Sequence, residues 1–206
     1  MSSTADPESI LIRPYTTFDL DALYQVCLQT GAAGEDATEM TEHPTLIGDV
    51  YAAPYAIYEP SLAFVAADRD GVAGYVLGAL DVVAFEQRLE ATWWPALRDR
   101  YPRDGEYGDM DRWLVDLLYE RDLAHAAGMA ARGFPSELHV DLLPRLQGTG
   151  TGRRLVDTLL DALRAMGSSG VHFGVAVTND RAIGFYRHLG FERDPDDDGV
   201  TFLMRL

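Results

Sequence analysis

Three glycines at alternate positions, Gly148, Gly150 and Gly152, stand in the run QGTGTGRR, just before an apolar pattern of helical spacing. A strand that enters a glycine-rich turn and then a helix presents free N–H groups together with the positive end of the helix dipole. Glycine has no side chain to keep an anion away from the backbone. Arg153 and Arg154 can add charge-assisted contacts. The spacing therefore predicts an anion site, and phosphate is the usual ligand of such a turn.

Two common nucleotide-binding loops do not fit this run. A P-loop requires Lys followed by Ser or Thr after its last glycine, whereas two arginines follow Gly152. A dinucleotide-binding fingerprint has the spacing G-x-G-x-x-G near the first strand of its fold. Here the spacing is G-x-G-x-G and the run lies late in the chain. The loop alone thus predicts an anion without naming the ligand.

Groups that could move protons lie on the strand predicted for SELHVDLLP. Glu137, His139 and Asp141 share one face of a regular strand, opposite to the apolar residues between them. A carboxylate in an otherwise apolar strand is costly to bury unless it is paired or catalytic. Asp141 is therefore the preferred working carboxylate, with a hydrogen-bonded structural Asp as the alternative. His139 and His172 are expected to be structural histidines.

The elements around these residues predict a single α/β domain spanning residues 1–206, with a flexible tail at residues 1–9. The first part of the chain predicts a strand, a helix and a β-hairpin, in the runs ILIRPY, TTFDLDALYQVCLQTG and SLAFVAADRDGVAGYVLGALDVV. Residues 31–60 are predicted as a long loop with short helical turns, a candidate substrate wall. Residues 84–133 are predicted as a helical insertion, broken near residues 102–108.

The last third of the chain alternates strands and helices most regularly. The predicted elements are the strand LHVDLL, the helix GRRLVDTLLDALRAMG, the strand GVHFGVAV, the helix NDRAIGFYRHLG and the strand VTFLMRL. The glycine loop therefore joins a strand to an amphipathic helix. This is the placement that an anion-binding turn requires.

Composition narrows the classes of partner. The formal charge of −16 over 206 residues argues against nucleic acid and anionic membranes and favours cationic partners, unless the acidity only aids solubility. No apolar run is long enough to cross a membrane, and the amino-terminal residues lack the pattern of a secretory signal, so a cytoplasmic location is expected. Cys27 is the single cysteine and is expected to be a small core residue.

Two sequence blocks carry a family resemblance. Gln147 to Gly152 fits the pattern Gln/Arg-x-x-Gly-x-Gly/Ala, and TNDRAIGFYRHLGF follows about thirty residues later with Asn179, Tyr186 and Phe191. Together they resemble the coenzyme-A loop and the following block of the GNAT superfamily of N-acetyltransferases. The same segment is similar to the acetyltransferase-like domain at the C-terminus of animal O-GlcNAcase. That likeness carries over no sugar hydrolysis.

The resemblance implies a mixed, twisted central sheet flanked by helices, with acetyl-CoA as the co-substrate and no metal. It also implies transfer of the acetyl group, without a covalent enzyme intermediate, to a primary amine on a small molecule or a lysine-containing peptide. A homodimer is the family tendency. Two alternatives stay open at this point. One is a non-catalytic module that binds or senses acyl-CoA, and the other is an interaction domain whose acidic groove recognises a basic peptide.

The resemblance also assigns roles to residues. Tyr186 is expected to protonate the departing thiolate, unless it only packs its helix on the sheet. The resemblance does not choose a base; the strand pattern favours Asp141, with His139 and Glu137 as further candidates. Asn179 is expected to cap its helix and also to contact coenzyme A. The residues expected to bind acetyl-CoA are Asp141, Leu142, Leu143, Gln147, Gly148, Thr149, Gly150, Thr151, Gly152, Arg153, Asn179 and Tyr186.

Overall fold

The computed structural model describes residues 10–197 and 199–206, so the predicted tail at residues 1–9 lies outside the described chain. Seven strands form one mixed sheet in the order β1-β2-β3-β4-β5-β7-β6. The strands are β1 Leu11–Pro14, β2 Ala63–Asp68, β3 Gly71–Ala79, β4 Ser136–Leu142, β5 Gly170–Gly174, β6 Glu192–Arg193 and β7 Thr201–Arg205. Neighbouring strands are antiparallel except for β4 and β5, which are parallel. The predicted single domain with a mixed sheet and flanking helices is confirmed.

Nine α-helices flank this sheet in the described chain. They are α1 Leu20–Leu28, α2 Leu46–Tyr51, α3 Ala53–Tyr58, α4 Val82–Thr92, α5 Trp94–Arg100, α6 Asp109–Tyr119, α7 Leu123–Ala131, α8 Thr151–Ala165 and α9 Asp180–His188. The predicted insertion at residues 84–133 thus holds α4 to α7. Among the described residues, no helix combines the length and the apolar character needed to cross a lipid bilayer.

The helix after the glycine loop, α8, is amphipathic and packs on the middle of the sheet. Its buried apolar residues recur at helical spacing and are Leu155, Val156, Leu159, Leu160 and Leu163. They contact β2, β3 and β4, whose residues form the core beneath them. Burial of this stripe stabilises the helix by far more than its intrinsic propensity does. It therefore fixes where the loop at its N-terminus lies relative to the sheet.

Strands β4 and β5 separate after a short parallel stretch. Their pairing is limited to Ser136 with Val171 and Glu137 with His172. Strand β4 nevertheless continues to Leu142, and β5 pairs along its full length with β7 on its other side. A gap therefore opens in the middle of the sheet, where backbone groups of β4 have no neighbouring strand to bond.

Two elements differ from their predicted form. Residues 31–60 are less irregular than predicted, because α2 and α3 occupy much of the segment and bury an apolar face that includes Leu46 and Val50. Strand β3 ends at Ala79 rather than continuing through the two valines that follow. The reason is local: the side chain of Asp81 accepts hydrogen bonds from two backbone N–H groups and caps α4.

Candidate active site

A cavity of about 590 Å3 lies against the gap between β4 and β5. The glycine loop and the start of α8 line one side of it, residues 140–142 of β4 line the base, and α9 lines the other side. Residues 30–35, which follow α1, contribute a further wall. The cavity therefore brings together the two sequence blocks that carried the family resemblance.

Gly148 and Gly150 give the cavity a bare backbone rim. Their φ angles are 74° and 83°, in the left-handed region that residues with a side chain rarely adopt. A Cβ atom added at either position would meet no atom within 4 Å, so it would project into open space. Gly152 has a different role, because a Cβ there would lie 3.1 Å from Cζ of Phe185. It allows α8 and α9 to approach closely.

Of the side chains around these glycines, some line the cavity and others form hydrogen bonds within the protein. Arg153 lines the cavity, whereas Arg154 donates to the carbonyl oxygen of Ile10 at 3.2 Å. Thr149 donates to the carbonyl oxygen of Leu146 at 2.6 Å, and its hydroxyl lies 2.7 Å from that of the buried Thr151. The two threonine hydroxyls therefore shape the loop, and only the backbone at these positions is available to a ligand.

One predicted set of backbone contacts needs correction. The amide of Leu143 donates to the carbonyl oxygen of Ala73 at 2.8 Å, and Asp141 is the register partner of Tyr75. Backbone groups of alternate residues point to opposite sides of a strand. Asp141 and Leu143 thus direct their N–H and C=O groups at β3, and Leu143 has no free amide. Val140 and Leu142 direct theirs at the gap.

The side chain of Gln147 forms a hydrogen bond with one of the backbone groups of β4 that face the gap. Its Nε2 donates to the carbonyl oxygen of Leu142 at 2.8 Å, which ties the glycine loop to the end of β4. The N–H groups of Val140 and Leu142 lie in the stretch of β4 that β5 does not pair. An acyl chain with hydrogen-bonding amides could therefore lie along β4 as a substitute strand.

Asp141 is held by two side chains. The hydroxyl of Tyr75 donates to Oδ2 of Asp141 at 2.5 Å, and Nε2 of His139 lies 3.0 Å from the same oxygen. The Asp141 side chain is 17% exposed and lines the cavity. Glu137 lies farther along the same face, where its carboxylate accepts a hydrogen bond from Tyr55 at 2.9 Å. The predicted common face of Glu137, His139 and Asp141 agrees with this geometry.

The electrostatics of this cluster favour a charged pair. Burial lowers the pKa of His139, but the negative charge and hydrogen bond of Asp141 outweigh it and raise that pKa to about 10. His139 is thus protonated at neutral pH. Burial, with the charge of Asp141, raises the pKa of Tyr75 well above its usual value. Burial also raises the pKa of Glu137. Tyr75 therefore acts as a permanent hydrogen-bond donor to Asp141.

Cys27 joins this cluster from α1. Its sulfur and the nearest ligand atoms of His139 and Asp141 all lie within 4.8 Å of one another. Among the described residues, these three are the group whose spacing could hold a metal ion. The cysteine is buried, as predicted, and burial raises the pKa of its thiol. The sequence did not reveal this neighbourhood, because residue 27 and residue 139 meet only through the packing of α1 on the sheet.

Tyr186 projects from α9 at the wall of the cavity. It is 6% exposed and packs against Phe173, with a ring-centroid distance of 4.4 Å, and against Phe191 and Phe202. Its hydroxyl has no hydrogen bond to another described residue, although the side chain borders the cavity. Burial and the charge of Asp141 raise its pKa, so it is a neutral phenol. Tyr186 is therefore packed against neighbouring aromatic rings and also borders the cavity.

The remaining predicted residues lie as follows. Asn179 caps α9, since its Oδ1 accepts from the amide of Ala182 at 2.9 Å, and it also borders the cavity. Its amide nitrogen lies close to Gly34, whose loop covers this side. His172 is buried, and its Nδ1 lies 2.9 Å from the carbonyl oxygen of Phe134, as expected of a structural histidine. No residue of the 84–133 segment lines this cavity, and all of that segment is described.

Comparison with known proteins decides the family. A model of the GNAT acetyltransferase family matches residues 33–191, which is most of the chain and includes every residue that lines the cavity except Thr30. The chain belongs to the GNAT acetyltransferase family. The crystal structure of SsHAT is similar over nearly the full length, with 34% identity, a TM-score of 0.86, and coverage of 96% of this chain and 98% of that one.

Two further similar proteins have lower identity to this chain. The chain is 27% identical over 182 residues to the protein O-GlcNAcase of Rattus norvegicus, covering 87% of this chain and 20% of that protein. It thus spans about a fifth of the length of the curated relatives it matches. YncA of Salmonella typhimurium, a putative acetyltransferase solved with its cofactor acetyl-CoA, shares the fold at 16% identity and a TM-score of 0.54, with coverage of 96% and 94%.

Proposed function

We propose that the protein binds acetyl-CoA in the cleft beside β4 and transfers the acetyl group to a primary amine by direct attack. One observation carries this proposal. A single cavity is bordered by the bare glycine rim, by the unpaired stretch of β4 and by the side chains of Asp141 and Tyr186. These are the parts needed for holding a nucleotide thioester and for moving two protons.

The donor would be held mainly through the backbone. The pyrophosphate would lie on the N–H groups between Gly148 and Gly152, at the N-terminus of α8, with Arg153 beside it. The pantetheine amides would pair with the C=O of Val140 and the N–H of Leu142, which leaves the N–H of Val140 free for the thioester carbonyl. Since those groups point at the gap, the acyl chain would complete the sheet where β5 has diverged.

The chemical step would use the same region. The N–H groups aimed at the gap would stabilise the oxyanion that forms as the amine attacks the thioester carbonyl. The carboxylate of Asp141 would accept the proton lost by the incoming ammonium. His139, being already protonated, is less suited to that role. Tyr75 and His139 would hold the Asp141 carboxylate in place.

The departing sulfur would be met by Tyr186. When the C–S bond breaks, the thiolate of coenzyme A takes the bonding electrons. The phenol of Tyr186, which has no described hydrogen-bond partner, would donate to that thiolate and supply its proton. The raised pKa of Tyr186 keeps the proton in place until the thiolate forms. The buried thiol of Cys27, with its raised pKa, has no part in this scheme.

Release of free thiol from acetyl-CoA, measured across amines, polyamines, amino sugars and lysine peptides, tests this function. We expect thiol release that depends on the acceptor and saturates with it. Calorimetric binding of acetyl-CoA without thiol release for any acceptor would favour the non-catalytic acyl-CoA module. Binding of a basic peptide that acetyl-CoA does not alter would favour the interaction domain.

A further inference from the structure

A row of three stacked rings leads from the surface to Asp141. Trp113 on α6 stacks on Tyr51 of α2, with ring centroids 6.0 Å apart and planes inclined by 27°. Tyr51 in turn stacks on His139 at 5.4 Å and 18°. His139 lies 3.0 Å from Oδ2 of Asp141. Only the inner end of this row takes part in the proposed acetyl transfer, in which Trp113 and Tyr51 have no role.

The row is partly exposed at both of its ends. Trp113 is 48% exposed, which is unusual for so large an aromatic residue, and the side chain of His139 is 30% exposed. Tyr51 is half-buried between them. An acceptor could therefore touch the outer ring first and follow the others inward.

The outer end of the row is fixed to the molecule. Asp111, two residues before Trp113 on α6, is buried and accepts hydrogen bonds from the hydroxyl of Thr41 and, at 2.9 Å, from the amide of Glu42. These bonds join α6 to the loop before α2. Since α2 carries Tyr51, the two outer rings are held on elements that are tied together.

Charge at the outer end favours a cation. Asp109 precedes Trp113 by four residues and Asp116 follows it by three, so both carboxylates lie on the same helix face as the ring. The whole chain adds a net charge of −16. An ammonium group is attracted to aromatic faces as well as to carboxylates. Both attractions would act on the same ligand at Trp113.

We propose that Trp113, Tyr51 and His139 form the acceptor path, and that the acceptor is a primary amine at the end of an unbranched aliphatic chain. The methylene groups would pack along the rings while the ammonium reaches Asp141. The centroid distances of 6.0 Å from Trp113 to Tyr51 and 5.4 Å from Tyr51 to His139 separate the surface from the reaction centre. An amine attached directly to a sugar ring lacks this reach. The inference rests on the proposed acetyl transfer and names the substrate class for it.

The test compares two acceptors, Nα-acetyl-lysine amide and glucosamine, in wild type and in Trp113→Ala. We expect Trp113→Ala to raise KM for Nα-acetyl-lysine amide about tenfold, because the acceptor loses the apolar surface that it buries against this ring. KM for acetyl-CoA should not change, because Trp113 does not line the cavity that the glycine loop borders. Trp113→Phe should restore most of the affinity. Phe18→Ala, which removes another exposed ring, is the matched control.

The outcomes separate the two proposals. If wild type acetylates Nα-acetyl-lysine amide and Trp113→Ala has the same KM, the acceptor path is wrong while acetyl transfer stands. If glucosamine has an equal or higher kcat/KM, the substrate class is wrong. If wild type acetylates no amine, the proposed function fails and the acceptor path fails with it.

Discussion

At the scale of single residues, the proposed chemistry depends on the arrangement around Asp141 and Tyr186. Asp141 accepts a hydrogen bond from Tyr75 and pairs with His139, so its position is determined by two neighbours rather than by solvent. Tyr186 is packed among phenylalanines, yet its hydroxyl has no described partner. In the proposed mechanism, Asp141 takes a proton from the amine and Tyr186 gives one to the thiolate.

Replacement of Tyr186 by Phe tests the second of these roles. The ring and its contacts with Phe173 and Phe202 stay, so the fold and the affinity for acetyl-CoA should be unchanged. Loss of the proton donor should lower kcat by about 10²-fold or more. Steady-state kinetics with calorimetric acetyl-CoA binding provide the measurement. Tyr107→Phe, at a tyrosine outside the cavity, is the control, and unaltered turnover in Tyr186→Phe would remove Tyr186 from the mechanism.

The ion pair of His139 and Asp141 predicts a pH dependence of stability. The pKa of His139 is about 10 in the folded protein, against an ordinary value of 6.5. The unfolded chain releases this proton first as the pH rises, so the pair stabilises fully below pH 6.5 and its contribution disappears as the pH approaches 10. Urea unfolding of wild type and His139→Gln should show a stability difference that shrinks across this window. A difference that is constant with pH would contradict the ion pair.

At the scale of secondary-structure elements, the site depends on where β4 and β5 separate and where α8 begins. The pairing of these strands stops after Glu137 and His172, and this opens the backbone of Val140 and Leu142. The apolar stripe of α8 holds the helix on the sheet and so aims its N-terminus at the same gap. Donor binding is thus a property of backbone geometry more than of particular side chains.

Substitution of Gly150 by Val tests this geometry. The φ angle of 83° strains a β-branched residue, and the added atoms would enter the cavity where the pyrophosphate is proposed to lie. Acetyl-CoA binding, measured by calorimetry, should be lost while circular dichroism shows a folded chain. Gly167→Val is a matched control, because its φ of 85° and open surroundings are alike but it lies at the other end of α8. Equal binding by both variants would show that the pyrophosphate lies elsewhere.

The sequence predicted the elements better than it predicted their pairing. The glycine loop and the common face of Glu137, His139 and Asp141 follow from local spacing, and the structure agrees with both. Tyr75 beside Asp141 could not be foreseen, because it depends on the register of β3 with β4. The same register sets which amides are free, and the amide of Leu143, a residue expected to bind acetyl-CoA, is bonded to β3 instead.

At the scale of the whole molecule, the net negative charge acts in opposite ways on the two proposed substrates. The chain carries a net charge of −16, whereas the proposed donor is an anion and the proposed acceptor is a cation. The donor must therefore be held by local N–H groups and Arg153 against the overall field. The acceptor is attracted by that field before it makes any contact.

Ionic strength should consequently affect the two substrates in opposite ways. Added salt screens charges beyond roughly 10 Å at 0.1 M. KM for a lysine-containing peptide should rise with salt, while KM for acetyl-CoA should stay constant or fall. Initial rates at several sodium chloride concentrations give both values. A neutral amine-free peptide in binding assays serves as the control, and a peptide KM that is independent of salt would rule out long-range attraction.

Direct transfer of acetyl from donor to amine is the central claim, and an isotope experiment tests it most directly. The protein is incubated with acetyl-CoA carrying labelled acetyl, first without and then with Nα-acetyl-lysine amide, and both protein and acceptor are examined by mass spectrometry. We predict no label on the protein, including Cys27, and stoichiometric label on the acceptor as free thiol appears. Label retained on the protein and then passed to the acceptor, or no label on the acceptor at all, would contradict the account.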